Sequence, residues 1–156
     1  MLHRVMRFAG LLGLLAGVSA CAPPPPPPPT VVNLTLKGAA DVNPTEAGVA
    51  APVQLRVYQL TSTAAFNGAE FFALLDRDAA TLGDQLVRRE DFLLAPNETK
   101  ASTLNPEARV TALGVFIGAR SIDGVTWRGT WAVPPNKTSA LTITAARAGV
   151  TLAPAP

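Results

Sequence analysis

From Val31 onward the chain consists of short aliphatic and β-branched runs in which apolar and polar residues alternate. Turn residues interrupt the runs roughly every 8–12 positions, the spacing of a sandwich. A period of two places alternate side chains on opposite faces of a strand, and it cannot supply a helix with one continuous apolar face. In VVNLTLK (31–37), Val32, Leu34 and Leu36 share a face. In VQLRVYQL (53–60), Val53, Leu55 and Val57 share one, with Gln54, Arg56 and Tyr58 opposite. Arg56 and Tyr58 therefore read as cross-strand partners pointing away from the core. LVRREDFLL (86–94) and KASTL (100–104) flank APNE, a proline-initiated turn. RVTALGVFIGAR (109–120) is almost wholly apolar and reads as a central strand. Asp123-Gly124 predicts a two-residue hairpin leading into VTWRGTWAV, where Trp127, Gly129, Trp131 and Val133 share a core face. SALTITAA (139–146) alternates Leu141 and Ile143 with threonines, and Ala148-Gly149 turns the chain into a last strand. Seven or eight such strands predict an all-β sandwich.

One segment departs from this period. FNGAEFFALLDRDAATLGDQL (66–86) has helical spacing and predicts a short helical insertion between strands, one helix over about 68–76 and a further turn over 78–82. Asn67 and Glu70 are spaced as a capping box, and Phe66 and Phe71 as a hydrophobic staple. Phe71, Leu74, Leu75, Ala79 and Leu82 form the expected apolar stripe, and Gly83 the stop. Asp76 and Asp78 read as a solvated helix end.

The first thirty residues read differently again. Arg4 and Arg7 precede an uncharged apolar run, Phe8–Val18, too short to span a bilayer comfortably. Val18-Ser19-Ala20-Cys21 then resembles a bacterial lipobox. The resemblance implies that residues 1–20 are a signal peptide and that Cys21, the only cysteine, carries diacylglycerol and an N-acyl chain. Those chains suffice for stable insertion in a lipid bilayer. Alanine at position 22, where aspartate would signal inner-membrane retention, implies an outer-membrane destination with the domain facing the periplasm. Pro23–Pro29 favour polyproline II and give roughly 20 Å of semi-rigid spacer at about 3.1 Å per residue. The other reading of the run, a ligand for a proline-binding module, lacks an expected receptor in a periplasm. The expected organisation is thus signal 1–20, lipidated cysteine and linker 21–30, and a β-sandwich domain 31–156 with a helical insertion at about 66–86. Without the signal, 11 basic and 11 acidic side chains remain, a balance that gives no basis for nucleic-acid binding.

The only histidine, His3, belongs to the signal. Beyond Cys21 there is neither imidazole nor thiol, which excludes Ser-His-Asp and Cys-His catalysis and the usual transition-metal sites. Glu90 and Asp91 are adjacent on a strand and point to opposite faces. The chain therefore reads as non-enzymatic and without a cofactor beyond the acyl chains. The stretch GAADVNPTEAGVAAP (38–52) joins two strands and is longer than a hairpin requires, so it is a candidate functional loop.

Taken in order, DVNP…AAPVQLRVYQL, FNGAEFFALLD, LGVFIGAR and WRGTW behind a lipobox resemble the TssJ/VasD lipoproteins of the type VI secretion system, over about Val31 to Leu152. The resemblance implies a transthyretin-like two-sheet β-sandwich with a helical element. It also implies a non-catalytic outer-membrane role, docking the periplasmic C-terminal region of the inner-membrane protein TssM in a complex that includes TssL. It places the partner contact in the first inter-strand loop, here Asp41, Asn43, Pro44, Glu46 and Gly48. The rival readings are a periplasmic glycan- or peptidoglycan-binding lipoprotein and, more remotely, a hydrolase built on a convergent carboxylate pair.

Overall fold

The computed structural model describes residues 24–155. The signal segment, Cys21 and Pro23 lie outside the described residues. Eight strands are formed: β1 (Val31–Gly38), β2 (Val53–Leu60), β3 (Leu86–Leu94), β4 (Thr99–Leu104), β5 (Ala112–Gly118), β6 (Arg128–Ala132), β7 (Thr138–Ala146) and β8 (Gly149–Ala155). They make two four-stranded sheets, β4-β1-β7-β8 and β3-β2-β5-β6. All pairings are antiparallel except β1 with β7. The alternation read from sequence faces inward as expected. Val32, Leu34, Leu36, Leu141 and Ile143 of one sheet meet Val53, Leu55, Val57, Val115 and Ile117 of the other in one buried cluster.

The helical insertion covers the outer face of the second sheet. It comprises α1 (Ala64–Gly68), α2 (Phe71–Leu82) and a 3-10 turn at Gly83–Gln85. Tyr58, Leu60, Phe66, Phe71, Leu74 and Phe116 form a second core between this layer and the sheet. With both faces covered, β2 and β5 are buried almost throughout, which is why β5 reads as a continuous apolar run.

The helical boundaries correct the sequence reading. Asn67 lies inside α1, its amide donating to Thr63 O at 2.9 Å, and Glu70 is the N-cap of α2 without a side-chain cap bond. No capping box forms, because the break between the helices is held from outside. Arg128 Nη1 donates to Phe66 O at 2.9 Å and to Ala69 O at 2.6 Å, while its guanidinium lies 4.5 Å from the Trp127 ring centre. Phe71 thus opens α2 and does not occupy the fourth position of a staple. The expected break near residue 77 is present, with Arg77 at φ −144°, ψ 38°. It rotates the second half of α2, so Asp78 takes the buried position that the stripe assigned to Ala79, which is exposed. Gly83 ends α2 at φ 54°, in the left-handed range that glycine tolerates.

Three connections also differ. Asp123-Gly124 does form a turn, but it sits within the longer loop 119–127 joining β5 to β6, not in a two-residue hairpin. Trp127 lies in that loop and packs against both cores, edge-on to Phe71 and Phe116 with ring centres 5.3 and 6.0 Å away. The turn at 95–98 and the loop 39–52 each carry the chain from one sheet to the other, so neither closes a hairpin. Close packing under the insertion yields a stability prediction. A Cβ on Gly114 would lie 3.0 Å from Leu60 Cδ1 and 3.1 Å from the Phe66 ring. Gly114→Ala is expected to destabilise by about 1–3 kcal/mol through overpacking, read as a lower urea midpoint.

Candidate functional site

The parallel β1/β7 pair gives the sandwich two distinct ends. At one, β1 begins beside Asn136 and Lys137: the Asn136 amide donates to Thr30 Oγ1 at 2.9 Å, and the Val31 amide to Lys137 O at 3.1 Å. The exposed prolines of the linker therefore leave the domain from this end. At the other end lie the loop 39–52, the loop 119–127 and the turn at Arg147-Ala148.

Those three segments are tied together by backbone and side-chain bonds. Asn43, at φ 46°, sits in the left-handed region that asparagine tolerates better than most residues. Its amide nitrogen donates to Pro52 O at 2.8 Å, and its Oδ1 accepts from the Arg120 amide at 2.9 Å. Asp41 Oδ1 accepts from the Arg147 amide at 3.4 Å. The Thr126 amide donates to Ala148 O at 3.0 Å, and Thr126 O accepts from the Val150 amide at 2.7 Å. A Cβ on Gly149 would collide with the Thr126 backbone, so this seam closes only on glycine.

Between the segments is a cavity of about 340 Å³ with apolar walls from Val42, Pro44, Ile117 and Val125, and with Asp123 and Arg147 also lining it. A second, more open cleft separates Pro44–Ala47 from Arg120–Asp123. The loop tip beyond Asn43 is a small closed turn. The Thr45 amide donates to Val49 O and the Gly48 amide to Thr45 O, both at 2.8 Å. Its base is the bond from the Ala51 amide to Val42 O at 3.1 Å, and Val42 is fully buried in the core. Gly48 turns the tip at φ 77°. Val49 stands 63 % exposed beside the exposed Ala47 and Glu46.

The five loop residues singled out from sequence thus divide by position. Asn43 braces the loop, Pro44 lines both clefts, Asp41 is exposed but engaged with the Arg147 amide, and Glu46 and Gly48 form the free tip. Cys21 lies outside the described residues. Sequence reading missed the contribution of 119–125 and 147–148 to this end, because those residues are brought to the loop only by the sheet crossovers. The expected turns at Asp123-Gly124 and Ala148-Gly149 were the local signals available.

A second polar group agrees with the sequence reading in part: Arg56 does bond its cross-strand neighbour Asp91, at 3.2 Å. Arg56 and Tyr58 do not face solvent, and Asp78 is not a solvated helix end: at 5 % exposure it is on the inner face of α2. Asp78 Oδ2 accepts from Tyr58 Oη at 2.9 Å and from Arg89 Nη1 at 2.8 Å, and Arg56 Nη1 is 3.4 Å away. Arg56 Nη1 also donates to Leu74 O at 2.8 Å and Leu75 O at 2.9 Å, carbonyls just before the kink, and Asp78 Oδ1 caps the Ala79 amide at 2.8 Å. Asp91 closes the group against Arg56 and Arg89. Burial pushes the Asp78 carboxyl upward, but the bonds from Arg89, Tyr58 and the Ala79 amide outweigh it and hold the carboxyl below its ordinary range. Burial raises the Tyr58 phenol well above its ordinary value. No buried side-chain nitrogen or oxygen of the group lacks a partner, and the cluster clamps the helical layer to the sheet. Among the described residues no set of three or more His, Cys, Asp or Glu side chains could hold a metal ion. Nor is any helix among them long and apolar enough to cross a membrane.

Comparison with known proteins bears on this arrangement. Residues 30–148 match the family model described as type VI secretion lipoprotein, VasD, EvfM, TssJ. The crystal structure of the type VI secretion lipoprotein TssJ1 from Pseudomonas aeruginosa is 38 % identical over 83 % of this chain and 98 % of that one, with a TM-score of 0.80. Lip from Serratia marcescens, a membrane-bound component of the type VI secretion system, is 27 % identical over 82 % and 97 %, with a TM-score of 0.74. A chain in the structure of the TssM C-terminal domain from EAEC is 23 % identical over 78 % and 99 %, with a TM-score of 0.66, a likeness of fold. The search of curated proteins finds no match.

Proposed function

This chain belongs to the type VI secretion lipoprotein family of VasD, EvfM and TssJ, and we propose that it is the lipid-anchored outer-membrane element that docks the TssM-type inner-membrane protein of that system. The observation that carries the reading is the polarity of the sandwich. The linker leaves one end at Thr30, and the three tied loops occupy the other. β1 alone separates them by eight residues, roughly 26 Å at about 3.3 Å per residue. A chain held by acyl groups on Cys21 therefore presents its loop end away from the outer membrane, toward a partner rooted in the inner one. The fold it shares with a chain in a TssM C-terminal domain structure supports the choice of partner. TssL joins this proposed assembly through TssM and needs no surface here.

The loop end suits protein docking better than chemistry. It offers an apolar cavity, an exposed valine at a braced tip and a few rim charges of mixed sign, Glu46, Asp123, Arg120 and Arg147. Apolar centres surrounded by polar rims are the anatomy of protein interfaces.

Anchoring has its own test. Cys21→Ser removes the thiol that would carry diacylglycerol, and Cys21 is the only cysteine. The variant is expected to leave the outer-membrane fraction and appear soluble in the periplasm after a high-salt wash. Continued co-fractionation with outer membrane would refute acyl anchoring at Cys21.

A further inference from the structure

Two features lie away from the loop end, the proline run and a groove at the opposite end of the sandwich. The groove encloses about 570 Å³ beside the point where the linker leaves the domain. Its walls include Trp131, Pro134 and Pro154, and Asn33 and Lys137 also line it. Trp131 packs on the core with part of its surface and lines the groove with the rest. Asn33 Oδ1 accepts from the Thr103 hydroxyl at 3.1 Å, which leaves the Asn33 amide nitrogen free to donate. No carboxylate among the described residues pairs with Lys137.

We propose that this groove receives the proline run of a neighbouring copy of the same chain. An aromatic wall with nearby hydrogen-bond donors is how polyproline II segments are recognised. Such a segment has no internal hydrogen bonds, so its carbonyls seek donors, and its preformed shape costs little entropy on binding. Pro24–Pro29 are exposed and stand clear of their own domain. Thr30 and Val31 are bound to Asn136 and Lys137, so the run departs outward from the groove's margin and is available to another copy. In copies anchored in one bilayer, run and groove lie at the same height above the lipid. That geometry rests on the acyl anchoring proposed above. A bilayer surface fits the groove less well, because the site is concave and Lys137 is the one cation lining it.

The test uses the full chain in its own membranes. One copy carries the photo-crosslinking residue p-benzoylphenylalanine at position 138, which is exposed and lines the groove. A second, differently tagged copy carries either the native Pro23–Pro29 run or a glycine-serine segment of equal length. The expected result is a crosslinked dimer mapped to the second copy's proline run. It falls to background when only that copy's run is replaced, and persists when only the first copy's run is replaced. A dimer that survives replacement in the second copy overturns the proposal. So does a crosslink within one chain, to lipid or to a glycan, and so does the absence of any dimer while both copies remain in the outer-membrane fraction. If the copies leave that fraction, the anchoring reading has failed and the pairing falls with it.

Discussion

Asp78→Ala lowers stability by about 3–5 kcal/mol, the cost of breaking a buried ion pair from one side. Removing the carboxylate leaves the Tyr58 hydroxyl buried beneath α2 without its acceptor. Arg56 keeps its bonds to Leu74 O and Leu75 O, but its charge loses its most buried counter-ion. Asp91, 40 % exposed at its side chain, serves as the contrast. Asp91→Ala is expected to cost within about 1 kcal/mol, as half-exposed pairs do. The same carboxylate sets an acid response. Its pKa is lower folded than unfolded, so its contribution is fully present above the unfolded value, about 4, and is lost as pH falls through the folded one. Asp78→Asn should flatten that part of the stability–pH curve. Urea unfolding at neutral pH and at successively lower values measures both effects. An Asp78→Ala variant as stable as Asp91→Ala would mean that the clamp does not hold the helical layer.

This clamp also marks where the sequence stopped being informative. Strand faces were legible because a period of two is a property of neighbouring residues, and Val32, Leu34, Leu36, Leu141 and Ile143 face inward as read. Arg56 and Tyr58 were equally legible as the opposite face of β2, but their surroundings were not. The α-layer that covers them comes from residues 64–85; the break near Arg77 was legible, but not the rotation by which it turns Asp78 inward. The loop end shows the same limit. The length of 38–52 and its Asn-Pro pair signalled a special loop, and Asn43 proves to be its brace. The partners of that brace, Arg120 and Pro52, and the Asp41 contact with Arg147 arise from the order in which the strands are laid into two sheets. Local periodicity does not carry that order. The capping box failed for a related reason: Arg128, some sixty residues away in sequence, takes the carbonyls at the α1–α2 break.

The second large effect concerns docking. Replacing Pro44–Ala50 by two glycines removes the exposed tip, including Glu46 and Val49, yet leaves Val42, Asn43 and the Asn43 bonds in place. Stability should change little, since the removed residues are surface loop. Binding should change greatly, because packed apolar centres govern dissociation while rim charges mainly steer association. Glu46→Lys is the clean rim probe. Asp41→Lys would also loosen the Arg147 turn, since Asp41 accepts from its amide.

Surface plasmon resonance with the TssM-type periplasmic C-terminal region as the partner tests docking through the loop end. The full chain in detergent, native and shortened, is compared at matched thermal stability. The shortened loop is expected to raise the dissociation rate by roughly a hundredfold, about 2.8 kcal/mol of binding free energy, while Glu46→Lys chiefly slows association. A shortened variant that folds normally and dissociates as slowly as the native chain would contradict docking through this end of the sandwich. The exposed side of α2, where Phe72 is 63 % exposed, would then be the surface to examine.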